Sequence, residues 1–289
     1  MAAVVVIGPA TIDRVVQGCT QVYQCGGVVT YAGLTFANLG LDTRVLTNIA
    51  AADQSMLAFL QHSGIEVHIG ESPDTTRFVN FVDGDQRQQE IPSRAVPIGA
   101  GQLEPVLLGV EHVHLGPLVP GDLCPEILEA FRSDIRISLD IQGYVRQIEG
   151  DRVIAGISAD LLAALQSADL VKASLDELEL VLVHFGQTLV QLMRDCAIAE
   201  WVITDGSRGG WVMDSTGRRT EFAADHIGSL VDPTGAGDVF FAAYLVARLH
   251  RREGVESAAR FAAALAARQV AGSFIKGSIL QLEDGKNDG

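Results

Sequence analysis

The sequence lacks the features that mark membrane, secreted and disulfide-rich proteins. No run of about 18 uninterrupted apolar residues is present, which argues against a membrane-spanning helix. The N-terminal stretch Met-Ala-Ala-Val-Val-Val-Ile-Gly lacks the basic start of a signal peptide. The four cysteines fall at no metal-binding spacing and are too few to staple a chain of 289 residues. We therefore expect a soluble, cytoplasmic protein with reduced thiols and no membrane partner.

Positive charge is also scarce. The chain has 21 Lys and Arg against 36 Asp and Glu, which gives a formal net charge of -15. Nucleic acids and anionic membranes require a basic face, so we expect neither as a partner. The Walker A pattern, Gly-x-x-x-x-Gly-Lys-Ser/Thr, is absent, which excludes the P-loop route to ATP.

No internal repeat, low-complexity tract or linker divides the chain. With 289 residues, of which 48% are hydrophobic, it can bury the core of one domain that spans residues 1–289. The last residues, 282–289, are predicted to form a disordered tail.

Short apolar segments alternate with segments of helical spacing over most of the chain. Predicted strands cover residues 3–7, 44–49, 112–115, 135–139, 170–172 and 201–204, and predicted helices cover residues 30–39, 54–62, 124–131, 176–184, 237–250 and 257–272. Such alternation predicts parallel strands joined by crossover helices, hence an α/β sandwich. Ligands of open parallel sheets bind at the carboxyl ends of the strands, so residues with chemical roles should follow strands.

Two segments break this alternation. Residues 76–91 are typical of a hairpin that turns at Asp83-Gly84, and residues 15–25 indicate another extended piece.

A glycine-rich run, Asp-Pro-Thr-Gly-Ala-Gly-Asp at residues 232–238, precedes the apolar helix. Glycine tolerates backbone angles that let several N–H groups converge, and the helix dipole adds positive charge behind them, so the turn favours an anion. A bound phosphate would repel Asp238. Its presence indicates either a base that takes a proton from an attacking hydroxyl, or an acidic residue favoured in a first helical turn. The spacing alone leaves both interpretations open.

This run resembles the C-terminal signature of the ribokinase-like carbohydrate kinases, the PfkB family, which has the form Asp-Thr/Pro-x-Gly-Ala-Gly-Asp. The resemblance implies that Gly235, Ala236 and Gly237 form the anion hole for the transferred phosphoryl group and that Asp238 is the catalytic base. The fold it implies is a three-layer α/β/α sandwich with a mostly parallel central sheet.

The resembled family also carries a small β lid over the substrate, which here would come from about residues 14–25 and 74–92. Some members dimerise through this lid, so a homodimer is a candidate assembly. Only twelve residues separate Asp13 from Gly26, and we therefore expect a reduced lid.

Substrate contacts are implied near the N-terminus. Asp13 follows the first strand and Gly26-Gly27 precedes a helix; by themselves they indicate a loop residue and a turn. They match the family's substrate-binding Asp and its N-terminal glycine pair. Four residues after the second glycine, ribokinase has an Asn where this chain has Tyr31, a departure that argues against ribose.

The segment Leu-Asp-Ile-Gln-Gly-Tyr-Val-Arg at residues 139–146 follows a strand. A solvated loop is the plain interpretation. Asp-x-Gln with an Arg four residues later, together with Tyr31, resembles the subgroup that includes myo-inositol kinases. Gln142 and Arg146 are therefore candidate substrate or phosphate contacts.

Ser174-Leu-Asp-Glu177 has the form of a helix capping box. The family has Asn-x-x-Glu here, which implies that Glu177 positions Mg²⁺ through water. Lys172, two residues upstream, would face phosphate or be paired at the surface.

Thr204, Gly206 and Gly209 stand in the pattern Thr-x-Gly-x-x-Gly, which by itself indicates a hairpin turn. The resembled family uses this pattern to contact nucleotide phosphates, so these three residues are candidate nucleotide contacts.

The motifs follow one another in the family's order, and together they predict an ATP-dependent kinase for a hydroxyl of a small sugar or cyclitol. ATP and Mg²⁺ are the predicted cofactors, with a monovalent cation as a further candidate. A nucleoside kinase is the alternative, which would need a base slot near the lid formed by Tyr31, Phe78 or Phe81. A non-catalytic sugar or nucleotide sensor is a third possibility, against which the base at Asp238 counts.

Overall fold

The computed structural model describes residues 3–83, 86–225 and 232–282. Its strands are β1 (Ala3–Ile7), β2 (Thr11–Gln17), β3 (Thr20–Gly26), β4 (Asp42–Ala50), β5 (Glu66–Ser72), β6 (Thr76–Asp83), β7 (Gln86–Ser93), β8 (Val110–Leu115), β9 (Arg136–Asp140), β10 (Arg146–Glu149), β11 (Arg152–Ala155), β12 (Leu170–Ser174), β13 (Glu200–Thr204), β14 (Gly210–Asp214) and β15 (Arg219–Phe222). Its α-helices are α1 (Val28–Asn38), α2 (Ala58–His62), α3 (Leu161–Ser167), α4 (Leu175–Phe185), α5 (Leu189–Asp195), α6 (Ala236–Leu245) and α7 (Val255–Val270).

Within these described residues, nine strands form the main sheet in the order β15-β14-β13-β12-β9-β8-β1-β4-β5. The seven strands from β13 to β5 are parallel, whereas β14 and β15 pair antiparallel at one edge. The predicted α/β/α sandwich with a mostly parallel sheet is confirmed. Its crossover helices lie on both faces, as parallel strands require.

Strand β1 shows why the sheet is buried on both faces. All five of its residues are buried, and their side chains alternate between the two sides. Val4 and Val6 belong to the apolar cluster that includes α1, α6 and α7, whereas Val5 and Ile7 belong to the cluster that includes α3, α4 and α5. The continuous apolar sequence is the signature of that two-sided burial.

A second sheet covers the carboxyl edge of the main sheet and is called the lid sheet below. In the part of the chain that is described, its six strands run in the order β10-β11-β7-β6-β2-β3. Phe78 and Ile91 pack beneath it against Val119, which gives it a small apolar core of its own. The hairpin turn predicted at Asp83-Gly84 lies partly outside the described residues, as does most of the tail predicted at 282–289.

The structure adds strands to the lid segments predicted at about residues 14–25 and 74–92, whereas a size reduced relative to the resembled family stays a prediction. The short spacing between Asp13 and Gly26 limits only β2 and β3, whereas two further strands, β10 and β11, come from the segment that begins at Arg146. Arg152 of β11 pairs with Glu90 of β7 and joins this hairpin to the rest of the lid sheet.

Two predicted helices are shorter or tighter than expected. Residues 124–131 form only a 3₁₀ turn over Pro125–Glu129, because the hydrogen bonds there run from residue i+3 to residue i. Residues 54–62 form a 3₁₀ segment, Ala51–Leu57, followed by the single turn of α2. Among helices in the described residues, none combines the length and the apolar character needed to cross a membrane.

Candidate active site

A cavity of about 210 Å³ lies between the carboxyl edge of the main sheet and the lid sheet. Nine of the predicted site residues line it: Asp13, Gly27, Tyr31, Gln142, Arg146, Lys172, Gly235, Gly237 and Asp238. Residues from both ends of the chain therefore meet in one cleft.

The glycine turn forms the floor of this cleft and opens α6. Gly235 caps the helix in the left-handed region, with φ 73°. A Cβ at this residue would collide with the ring of Tyr31, so the turn rests directly on that ring. A Cβ at Gly237 would lie 3.1 Å from the Lys172 ammonium nitrogen. The two glycines thus bring the helix N-terminus close to a cation, where an anion is favoured.

Asp238 lies in the first turn of α6 and is half-buried in the cleft. Burial raises the pKa of its carboxyl to about 7, and the nearby Asp140 carboxylate adds to the increase, while Lys172 and Arg146 oppose it. A carboxyl with a pKa near neutrality can accept a proton and give it up again at physiological pH, which suits a general base.

Asp140, the last residue of β9, forms a buried ion pair with Lys172, which lies in the middle of the neighbouring strand β12. The ammonium nitrogen donates to Asp140 Oδ2 at 2.7 Å. Burial alone would lower the pKa of Lys172, but the carboxylates of Asp140, Glu177 and Asp238 outweigh it and raise the pKa above its ordinary value. Lys172 therefore stays charged beside the glycine turn. Of the two interpretations of Lys172, a pairing at the surface is excluded because the side chain is buried, and a contact with phosphate stays a prediction.

Asp13 is held by the residues around it. Thr11 Oγ1 donates to Asp13 Oδ1 at 2.7 Å, and the side chain of Asp13 is buried at the cleft wall. A Cβ at Gly26 would lie 2.5 Å from Asp13 Oδ2, and a Cβ at Gly27, which has φ 85°, would collide with the Pro9 carbonyl. The glycine pair is therefore required for the carboxylate and the start of α1 to lie side by side.

Gln142 and Arg146 lie on the far wall. The backbone N–H of Gln142 donates to Asp140 Oδ1 at 3.1 Å, and this bond fixes the turn that follows β9. Arg146 donates to the Leu118 carbonyl at 3.1 Å and begins β10 of the lid sheet. Its guanidinium is thereby directed along the wall of the cleft.

Glu177 lines a neighbouring cavity of about 450 Å³, which shares Gln89 and Arg146 with the cleft. One carboxylate oxygen of Glu177 accepts the Ser174 backbone N–H at 2.6 Å, and Ser174 Oγ accepts the Glu177 N–H at 3.3 Å. The predicted capping box is confirmed. The second carboxylate oxygen can still accept a hydrogen bond from a metal-bound water, so this residue fits the implied magnesium role.

Other predicted site residues do not line the cleft. Thr204 is the last residue of β13, and Gly206 and Gly209 lie in the connection from it to the antiparallel strand β14, as the plain interpretation of a hairpin turn predicted. This connection borders a third cavity, of about 610 Å³, through Asp205 and Arg208, which form an exposed ion pair with each other.

Gly26 and Ala236 are also absent from the cleft lining, although their neighbours Gly27 and Gly235 are part of it. No group of three or more His, Cys, Asp or Glu side chains within the described ranges is arranged to hold a metal ion directly.

Sequence reasoning assigned no role to several lining residues. Asp140 directly follows the predicted strand 135–139, at the edge of the sheet where ligands bind, and this position could have identified it as a cleft residue. Gln89 lies on β7, which pairs with β6 in the predicted hairpin, but the sequence has no local signal for the packing of this hairpin over the cleft.

The fold and the cleft define a class of protein. An anion-favouring turn stands beside a carboxyl of raised pKa, at the ligand-binding edge of an α/β sheet, and this combination belongs to phosphotransferases that act on hydroxyl groups. The chain belongs to the pfkB family of carbohydrate kinases, which it matches over residues 2–273.

Solved structures of similar fold support this assignment. One is a pyrophosphate-dependent kinase of the ribokinase family in a sulfate complex, which is 28% identical, with 92% of this chain and 95% of that chain covered and a TM-score of 0.81. Another is a pyrophosphate-dependent myo-inositol-1 kinase converted into a myo-inositol-3 kinase by two substitutions, which is 27% identical, with 93% of each chain covered and a TM-score of 0.80.

The nucleoside kinase of Methanocaldococcus jannaschii, an archaeal member of the ribokinase family, has the same fold. It is 16% identical, with 96% of this chain and 95% of that chain covered and a TM-score of 0.75.

Proposed function

We propose that this chain transfers a phosphoryl group to a hydroxyl of a cyclitol or small sugar, with myo-inositol as the first candidate. The observation that carries the proposal is the carboxyl of Asp238, whose pKa of about 7 suits a base and which shares the cleft with the glycine turn.

In the proposed reaction, Asp238 accepts the proton of the acceptor hydroxyl while that oxygen forms a bond to phosphorus. The bond from phosphorus to the leaving oxygen of the donor breaks, and the leaving group keeps the electron pair. The N–H groups of Gly235 and Gly237 stabilise the charge on the phosphoryl oxygens, whereas the Ala236 N–H donates to the Pro233 carbonyl at 3.2 Å and supports the turn. The Lys172 and Arg146 cations add to the attraction. Magnesium would spread the negative charge of the donor, held through water at Glu177.

The acceptor would lie between Asp238 and the lid sheet. Asp13 can accept bonds from two hydroxyls, and Gln142 and Arg146 offer further polar contacts on the opposite wall. Similarity to a myo-inositol kinase at 27% identity supports a cyclitol. A nucleoside is less well supported, because the Tyr31 ring already packs against Gly235 and is not free to stack on a base.

The sequence motifs and the similar structures indicate different phosphoryl donors. The motifs predict ATP, whereas the two reported structures above 25% identity are pyrophosphate-dependent kinases. We therefore propose pyrophosphate as the first donor and ATP as the second. Dependence on a monovalent cation and dimerisation through the lid sheet stay predictions.

A matrix of donors and acceptors tests the proposal. Purified protein with Mg²⁺ would be given pyrophosphate or ATP together with myo-inositol, ribose or inosine, and the phosphorylated product measured by mass spectrometry. We expect inositol phosphate. Phosphorylated inosine would favour the nucleoside kinase, and tight acceptor binding without product for every pair would favour a sensor.

A further inference from the structure

We propose that Gln269, a buried residue of α7, orients the peptide between Thr234 and Gly235 so that the Gly235 N–H points at the transferred phosphoryl group. The inference rests on the proposed function of the cleft and assigns a positioning role to a side chain outside it. Gln269 is 5% exposed and does not line the cleft.

The amide of Gln269 bridges two segments of backbone. Its Oε1 accepts the Ile275 N–H at 3.1 Å, and its Nε2 donates to the Thr234 carbonyl at 3.3 Å. Because a backbone N–H can only donate, the amide oxygen faces Ile275 and the amide nitrogen faces Thr234. The same end of α7 holds the turn a second time, since the Asp232 N–H donates to the Val270 carbonyl at 3.1 Å.

The carbonyl that Gln269 binds and the Gly235 N–H belong to one peptide group. A trans peptide is planar, and its C=O and N–H point in opposite directions. Since the Thr234 carbonyl points at α7, the Gly235 N–H points away from α7, toward the cleft that Gly235 lines. Within the described residues this N–H has no hydrogen-bond partner, so it is available to an anion in the cleft.

The turn itself can hold this peptide in either of two orientations. The Ala236 N–H donates to the Pro233 carbonyl at 3.2 Å and closes a four-residue turn, whose third residue, Gly235, has φ 73° and ψ 1°. These angles are typical of a type II turn. A type I turn keeps the closing bond and differs by rotation of the central peptide, which here joins Thr234 to Gly235. Glycine adopts both forms, so the closing bond alone does not fix the direction of the N–H.

The bond from Gln269 favours the orientation that serves the reaction. Rotation of the peptide would leave the Gln269 amide without its acceptor, and a buried polar group without a partner is disfavoured. Rotation would also direct the Thr234 carbonyl toward the phosphoryl oxygens, which it repels, and withdraw one N–H donor from them. Loss of a single preorganised donor typically lowers kcat by about 10² to 10³-fold. Gln269 thereby prepares the anion-binding turn before the donor binds.

The test compares Gln269→Leu with the matched control Gln102→Leu. Gln102 makes the same kinds of bond, because its amide accepts the Gly99 N–H at 2.9 Å and donates to Asn48 Oδ1 at 2.7 Å. Gln102 does not line the cleft. Each substitution removes one donated and one accepted hydrogen bond, so a difference in function between the variants reports the place of the amide and not the number of bonds lost.

Nuclear magnetic resonance observes the peptide directly. With ¹³C in the Thr carbonyls and ¹⁵N in Gly, a spectrum that selects bonded ¹³C–¹⁵N pairs has one signal for each Thr-Gly pair, and the sequence has two, Thr216-Gly217 and Thr234-Gly235. Gly217 lies in the connection between β14 and β15, outside the cleft lining, so its signal is an internal reference. Inorganic phosphate is the probe, added to the wild type and to both variants.

We expect phosphate to move the Gly235 amide proton downfield in the wild type and in Gln102→Leu, as a hydrogen bond to an anion does. In Gln269→Leu the same shift should require about tenfold more phosphate or more. With a donor and an acceptor that support turnover, kcat should fall about tenfold or more in Gln269→Leu, while the dissociation constant of the acceptor stays near that of the wild type. Gln102→Leu should keep the wild-type kcat.

Equal phosphate titrations of the Gly235 signal in the wild type and in Gln269→Leu would overturn the inference, because the N–H would then keep its direction without the amide. An unmoved Gly235 signal in the wild type would overturn it as well, because this N–H would then meet no anion. Neither result depends on turnover. Absence of product with every donor and acceptor, beside an intact phosphate shift, would instead overturn the proposed function and leave the role of Gln269 in the turn supported.

Discussion

At the scale of single residues, Asp238 should separate binding from chemistry. The substitution Asp238→Asn keeps the size and polarity of the side chain and removes the base. We expect turnover to fall about 10² to 10⁴-fold, which is the typical loss for a general base. The dissociation constant of the acceptor, measured by calorimetry, should change little because Asp13 and the opposite wall still hold it. Near-normal turnover would exclude Asp238 as the base.

The pH dependence of the reaction provides a second test of the same carboxyl. A base must be ionised, and a pKa of about 7 means that Asp238 is mostly protonated below that pH. The value of kcat/KM should therefore rise about tenfold per pH unit at low pH and become constant above about pH 7. A rising limb near pH 4 would contradict the raised pKa.

Two substitutions should move the rising limb of the kcat/KM profile, its low-pH part, in opposite directions along the pH axis. Asp140 raises the pKa of Asp238 and Lys172 lowers it. We expect Asp140→Asn to shift the limb to lower pH and Lys172→Met to shift it to higher pH, each by about one pH unit or more, as neighbouring charges do. Loss of a buried partner also destabilises the fold, so the profiles are compared on protein shown by circular dichroism to be folded.

The control for this pair is Arg136→Met. Arg136 forms an exposed ion pair with Asp169 at 2.9 Å and begins the same strand whose other end carries Asp140. Removal of this cation should leave the limb in place. A shift in Arg136→Met as large as that in Lys172→Met would show that net charge, rather than the local pair, sets the pKa of Asp238.

At the scale of secondary-structure elements, the contact between Tyr31 of α1 and Gly235 of α6 fixes the anion-binding turn. Gly235→Ala should both strain the left-handed backbone and push the turn away from the Tyr31 ring. We expect a loss of turnover of tenfold or more together with a lower melting temperature. Gly101→Ala is the matched control, because a Cβ at Gly101 meets no atom within 4 Å. Equal losses of turnover and melting temperature in the two variants would show that the contact between Tyr31 and Gly235 does not fix the turn.

The elements that the sequence predicted best are those with a strong local signal. Strand β1 has its predicted bounds because a short β-branched apolar run ends at a glycine. Strands β10 and β11 were missed because they are short and carry polar residues such as Arg146 and Arg152, and their pairing depends on β7, about 60 residues earlier in the chain.

Within the site, too, features with a local sequence signal were predicted better than those that depend on distant strands. Asp238 and the glycine turn are contiguous in sequence, so their proximity could be predicted. The pairing of Asp140 with Lys172 arises from the alignment of β9 with β12, which follows from tertiary packing that local patterns do not contain. The pairing of β6 with β7, in contrast, agrees with the hairpin predicted over residues 76–91.

At the scale of the whole molecule, a polar cluster crosses the core between the main sheet and its helices. His112 Nε2 and His114 Nδ1 lie 2.8 Å and 3.0 Å from Ser138 Oγ, and His112 Nδ1 lies 3.2 Å from His250 Nε2. Phe36 of α1 contacts both buried rings edge-on. A single serine hydroxyl can serve two imidazoles because it both donates and accepts.

This cluster makes the stability of the protein sensitive to acid. Burial lowers the pKa of His114 from 6.5 to about 4; the Asp140 carboxylate opposes this decrease, and the Lys172 ammonium adds a smaller decrease. Between these two pH values the unfolded chain binds a proton at this histidine that the folded protein does not bind. Stability is therefore highest above pH 6.5 and is lost as the pH falls toward 4, by about 3 kcal/mol for this residue.

The substitution His114→Leu isolates this contribution, because it removes the titration and keeps an apolar side chain of similar size in the core. Its free energy of unfolding, measured by urea denaturation at intervals between pH 6.5 and 4, should fall less steeply than that of the wild type, whatever its absolute value. His184→Leu, at an exposed residue of α4, is the control and should keep the wild-type slope. Parallel slopes for wild type and His114→Leu would mean that His114 is not held neutral in the folded protein.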